Sequence, residues 1–229
     1  MLKTLTLGVC LGVAMVVAGA GVADAKATHL TFTDTHDIQT NLIKEFPTGK
    51  FTAANSFATV FTIPKAKPAG KVPKYNFWDN GQTLTIDTSI PAATHVYTLM
   101  NAYSPPPGAV IASVEFVGSA GADTTFQLTA GTNIRDFYQG QFANTINGTT
   151  TQNAFEAQNV QDAGGTGNVN TGAVGTYVVD EQEFVLPAAF KTQTLTQIII
   201  TPSGSGTPIL PGATVQSVTR TEMLTGLQP

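Results

Sequence analysis

The sequence predicts an all-β protein, an antiparallel β-sandwich or jelly roll. Apolar and polar residues alternate with period two. Gly- and Pro-rich turns separate the alternating runs, and no segment carries a long 3.6-residue period. β-branched and aromatic residues dominate the runs, as a pleated, half-buried surface requires.

Taken in order, "SFATVFTI" puts Phe57, Thr59, Phe61 and Ile63 on one side. "TLTIDT" sets Leu84 and Ile86 against Thr83, Thr85 and Asp87. "HVYTLMNA" reads as a strand opened by a solvent-facing His95. "SVEFVG" places Val114 and Phe116 opposite Glu115, and "TTFQLTA" places Phe126 and Leu128 opposite Thr125 and Gln127. "EFVLP" and "GATVQSV" are further strands, and "LTQIIIT" is apolar on both faces and so central. Pro187 is placed to start one helical turn in "LPAAFKTQTL". The separators are a Pro/Lys loop (64–74), "SPPPG" (104–108), the hairpin loop "GSAGAD" (118–123), a Gly-rich loop (162–175) and "TPSGSGTPILPG" (201–212).

Residues 1–25 read as a secretory signal peptide: "MLK", an apolar run, and the exit "ADA", with cleavage expected after Ala25. Residues 26–229 then form one β-sandwich domain, with first strands in 26–63, the Pro/Lys loop at 64–74 and a jelly-roll core over 75–220. The only cysteine, Cys10, lies in the leader, so the domain is expected to hold together through its core, without disulfides. The expected location is extracellular, cell-surface or periplasmic, with no membrane association after cleavage. Charged residues are 11% of the chain and the net charge is −4. That leaves no basic face for a nucleic acid.

Four segments together resemble a known family: "FWDNGQTLTIDTSI", "HVYTLMNAYSPPPGAVIASVEFVGSAGADTTFQLTAGTNIRDF", "EQEFVLPAAFKTQTLTQIII" and "GATV". They look like secreted bacterial proteins with a galactose-binding-like jelly roll, the fold of discoidin-type domains and many carbohydrate-binding modules. The resemblance spans Phe77 to Val215. It implies the jelly roll, binding to a polysaccharide or glycan, and a structural calcium held by loop oxygens. Asp79, Asn80, Asp123 and Asp180 are the candidate oxygen ligands. It carries no catalytic signature, and the fold hosts unrelated activities.

The residues themselves agree that chemistry is scarce. There is no G-x-S-x-G, no cysteine beyond the leader and no H-x-H or H-E-x-x-H spacing. The chain is therefore expected not to be an enzyme, with a hydrolase built on dispersed carboxylates as the weaker reading. In "VVDEQEF", Glu181 and Glu183 share one strand face and Asp180 and Gln182 the other. The plain expectation there is a solvated face, with a calcium or sugar contact as the alternative. Asn147, in "NGT", is a formal glycosylation sequon.

A neutral sugar is bound by stacking on an aromatic ring, with amides and cations on its hydroxyls. Tyr75, Trp78 and Asn80 in "KYNFWDNGQ", Tyr103 beside "SPPPG", and Arg135 are the candidates. Trp78 can equally plug the core. Arg135 is the only lysine or arginine between Lys74 and Lys191. It reads chiefly as a loop clamp, bonded to Asp136 or to carbonyls, with Phe137 and Phe142 anchoring its turn in the core. The other functional class is a structural or surface-associated protein, an envelope, matrix or filament component, whose Thr/Asn/Gln-rich faces serve self-association or a surface partner.

Overall fold

The computed structural model describes residues 25–30, 37–38, 47, 49–53, 57, 59–63, 75–77, 82–140, 142–161 and 174–218. The protein is an all-β antiparallel sandwich. Its strands are β1 (Lys26–Leu30), β2 (Asp37–Ile38), β3 (Gly49–Thr52), β4 (Val60–Ile63), β5 (Tyr75–Phe77), β6 (Leu84–Pro91) and β7 (Ala93–Tyr103). They continue with β8 (Val110–Gly118), β9 (Asp123–Thr129), β10 (Tyr138–Gln139), β11 (Thr151–Gln161), β12 (Val174–Val185), β13 (Thr194–Pro202) and β14 (Thr207–Ser217). The one helical element among the described residues is a 3-10 turn, Ala188–Thr192, capped by Pro187 as expected.

Eight strands form the large sheet in the order β10-β12-β7-β14-β5-β2, with β11 also on β12 and β1 also on β14. The second sheet is β6-β13-β8-β9, and β3–β4 is a separate hairpin. Period-two alternation explains how these stack. On β7, Val96, Met100 and Ala102 face the four-stranded sheet, meeting Ile86, Val114, Phe116, Leu128, Ile198 and Ile200. Tyr97 and Leu99 point the other way, into a second cluster with Tyr177, Val179, Ile209, Phe61 and Ile63. The hairpin thus covers the far face, and the large sheet is the middle of three layers. Fully burying a ring such as Phe61 stabilises by about 1.5–3 kcal/mol. The ring lies over Gly212, where an added Cβ would meet it at 3.6 Å.

Most predicted strands hold. β13 is central, between β6 and β8, but Ile199 is only half-buried on the outer face. The loop expected over 201–212 is shorter, because β14 begins at Thr207. Its Pro211 falls in the register shift between Ile209 and Gly212, where a bulge tolerates a missing N–H. Sequence reasoning missed β11, whose mostly polar side chains give little alternation and whose pairing carries two register shifts. The Pro/Lys loop and most of the Gly-rich loop lie outside the described residues.

Candidate functional site

The loops at one end of the sandwich converge. The 104–109 turn binds the segment after β9: Gly108 N–H donates to Ala130 C=O at 2.9 Å, and Ala143 N–H to Pro105 C=O at 3.1 Å. Ala102 at the end of β7 bridges Asp136 in parallel, with Ala102 N–H on Arg135 C=O (3.0 Å) and Phe137 N–H on Ala102 C=O (3.1 Å). This docks the 134–137 stretch beside the end of β7 and seats Phe137 in the second core.

Beneath these loops lies a buried polar network. Arg135 donates from Nε to Asp180 Oδ2 (2.8 Å) and from Nη2 to Oδ1 (2.7 Å), a fork-on-fork pair. Its Nη1 donates to Asn144 C=O at 3.3 Å. Asn101 serves the same carboxylate, giving Nδ2–H to Asp180 Oδ2 (2.8 Å) and accepting Asp180 N–H on Oδ1 (2.9 Å). Burial pushes the Asp180 carboxyl up, while Arg135 and Asn101 pull it back. Two charge-assisted bonds at these lengths define an ion pair.

Asp136 is buried beside this pair, but its acceptors face backbone N–H groups. Tyr138 N–H reaches Oδ1 at 3.1 Å. Burial raises its pKa to about 7, against the pull of the Tyr138 and Phe137 amides. Further along β12, Gln182 accepts from Thr98 Oγ1 (3.0 Å) and donates to Met100 C=O (2.8 Å). Glu183 accepts the Tyr97 hydroxyl at 3.0 Å, and burial, then that bond, raises the Tyr97 pKa.

The solvated face expected for the acidic run is therefore corrected. Asp180, Glu181 and Gln182 are each at most 1% exposed. The alternation of faces is as expected, but β11 and β7 flank Glu181 and Gln182 on both sides and core layers cover both faces. Arg135 is a clamp, though its acidic partner is Asp180 rather than the adjacent Asp136. Phe137 anchors the turn, whereas Phe142 is 38% exposed and does not.

The remaining candidates divide by position. Tyr103 is half-buried at the loop end, its ring stacked on Phe137 at 6.0 Å. Tyr75 lies on β5, across β14 from the last turn of β7: Ile209 pairs with Asn101 on one side and Phe77 on the other. Tyr103 and Arg135 thus share one end of the large sheet, whereas Tyr75, two residues before Phe77, lies roughly 13 Å further back along it at the usual rise per residue and is not brought to them. Trp78, Asp79 and Asn80 lie outside the described residues. Asp123 is exposed and pairs with Val117, roughly 20 Å along β8 from the loop end at the usual rise per residue. Asp123 and Asp180 are not brought together, and the described residues contain no group of three or more His, Cys, Asp or Glu placed to hold a metal.

Sequence reasoning missed Asn101 and Asn144 as parts of the network and Asp180 as its anion. A lone cation in a stretch that carries ten acids points to an anionic partner, but no spacing says which acid, because Asp180 is 45 residues away. No family model, curated protein or solved structure matches the chain.

Proposed function

We propose that this chain is an exported, non-catalytic jelly roll of the galactose-binding-like kind that binds neutral polysaccharide weakly at its loop end. The observation that carries the reading is the exposed ring of Phe142, next in sequence to the Ala143–Pro105 contact and so beside the turn that follows Tyr103. An exposed aromatic flanked by amides is what a sugar face requires. The Asn144 side chain is there, closing its loop with bonds to Gly140 C=O (2.8 Å) and N–H (3.1 Å). Gln139 is half-buried nearby, with Nε2 on Asp136 C=O. Arg135 belongs to the scaffold of this site and not to its contact surface, since its guanidinium is taken up by Asp180 and Asn144.

Pull-down on insoluble polysaccharides tests the reading, using wild type, Phe142→Ala, Tyr103→Ala and Trp78→Ala. Wild type is retained, and Phe142→Ala loses retention without a lower Tm. No retention of wild type on any neutral polysaccharide ends the reading. Light scattering that shows mass growing with concentration would then favour the surface-assembly alternative.

A further inference from the structure

We propose that Asn147–Gly148 is a self-modifying site, at which the fold builds an oxyanion hole around the Asn147 side-chain carbonyl and drives its conversion to aspartate. Asn147 is exposed, and Gly148 follows it at φ +69°. Glycine is the residue least able to shield its own nitrogen, and only glycine takes that backbone conformation without strain. Asn147 Oδ1 accepts three backbone N–H groups: Thr149 at 2.9 Å, Thr150 at 3.0 Å and Thr151 at 3.1 Å. Three donors already on Oδ1 are in place to follow the charge that develops on that oxygen as Cγ becomes tetrahedral. The Nδ2 amide donates to Thr150 Oγ1 at 2.8 Å. The residue is itself anchored, with Asn147 N–H on Thr132 C=O at 2.7 Å.

The chemistry closes without any outside reagent except water. The Gly148 backbone nitrogen attacks Asn147 Cγ. A C–N bond forms and the carbonyl electron pair moves onto Oδ1, where the three N–H groups receive it. Collapse of this intermediate breaks Cγ–Nδ2. The proton lost by Gly148 is carried by solvent water to Nδ2, which leaves as ammonia; Thr150 Oγ1, which accepts Nδ2–H, holds the side-chain amide in place for the attack. Water then opens the cyclic imide, giving a carboxylate at position 147. When water attacks Cγ, the ordinary peptide linkage is restored and the new aspartate accepts the same three N–H groups through charge-assisted bonds. The net effect is one added negative charge on the loop between β10 and β11, with the β11 entry held more tightly. A merely capping asparagine would behave the opposite way: fixing its side chain would slow the reaction relative to a free chain.

The test is peptide mapping by mass spectrometry on the full chain, incubated at mildly alkaline pH either folded or in urea. In urea, Asn147 and the chain's other Asn-Gly pair, Asn80–Gly81, should convert at similar rates, which calibrates the unassisted reaction. In the folded chain, Asn147 should convert at least about tenfold faster than in urea, a modest share of what an oxyanion hole supplies. A folded rate equal to or below the rate in urea overturns the proposal, since the loop would then protect Asn147. Thr150→Val removes the hydroxyl while keeping the branched shape. It should slow conversion severalfold in the folded chain and leave the rate in urea unchanged. An unchanged folded rate in that variant overturns the role given to Thr150.

Discussion

Arg135 and Asp180 show what one buried pair demands of its surroundings. Bringing two charges out of water costs several kcal/mol per ion, and only close geometry with the remaining lone pairs filled offsets that. Here the bidentate contact, Asn101 and the Asn144 carbonyl fill them. Arg135→Ala leaves a carboxylate buried without its cation and should destabilise by about 3–5 kcal/mol. The double variant Arg135→Met, Asp180→Leu should lose less than either single change, because no charge is stranded. Urea denaturation of the set checks this, and a double variant as unstable as the sum of the singles would refute it. Polysaccharide retention by Arg135→Ala should fall only with its folded fraction. Greater loss would return Arg135 to the contact surface.

At the level of elements, β9 is instructive because it is the edge of the four-stranded sheet. Edge strands present unpaired backbone groups and invite wrong partners. The end of β9 is closed by a side chain: Asn133 Oδ1 accepts Thr129 N–H at 2.6 Å, and Asn133 Nδ2 donates to Gln127 C=O at 2.9 Å. An asparagine amide carries one donor and one acceptor side by side, so it imitates one residue of a neighbouring strand. Asn133→Ala should cost about 1 kcal/mol, the worth of an ordinary hydrogen bond. Amide hydrogen exchange locates the effect: Thr129 should exchange faster while the amides of β8 keep their protection. Uniform acceleration across both strands would mean that Asn133 supports the whole sheet rather than its edge.

For the whole molecule, the buried acids set how stability responds to pH. Asp136 has a folded pKa of about 7, against about 3.9 for an unfolded aspartate. Between these values the folded state binds more protons than the unfolded state, so stability falls as pH rises through the window. A change of this size corresponds to at most about 4 kcal/mol for Asp136. Denaturation free energy should therefore be higher at pH 5 than at pH 8, and Asp136→Asn should flatten most of that slope. An Asp136→Asn slope equal to wild type would show that the carboxylate is already ionised at pH 5.

The large sheet also explains why the molecule is built in three layers. β7 is buried along nearly its whole length because it meets the four-stranded sheet on one face and the β3–β4 hairpin on the other. The sequence of β7 says this directly, with Val96, Tyr97, Leu99 and Met100 leaving no solvent face. The second strand of the hairpin, β4, was equally readable, since Phe61 and Ile63 alternate with Thr62, whereas β3 and its pairing with β4 were not. What those residues could not say is which face of which sheet they cover.

Local periodicity determined the fold class, the strands around Leu84, Val114, Phe126 and Ile198, the two tight turns at 104–108 and 118–123, and the Pro187 turn. Each of these rests on neighbours in the chain, where side-chain direction and backbone preference act over a few residues. The tertiary structure alone decided that Asp180 faces Arg135, that Glu181 is buried and that Phe142 is not. Those outcomes depend on strands distant in sequence: β11 and β7 close over the acidic run, and the end of β7 draws the Arg135 turn against it. A carboxylate in an alternating strand reads the same whether water or a guanidinium lies beside it, and only the folded chain places one of the two there.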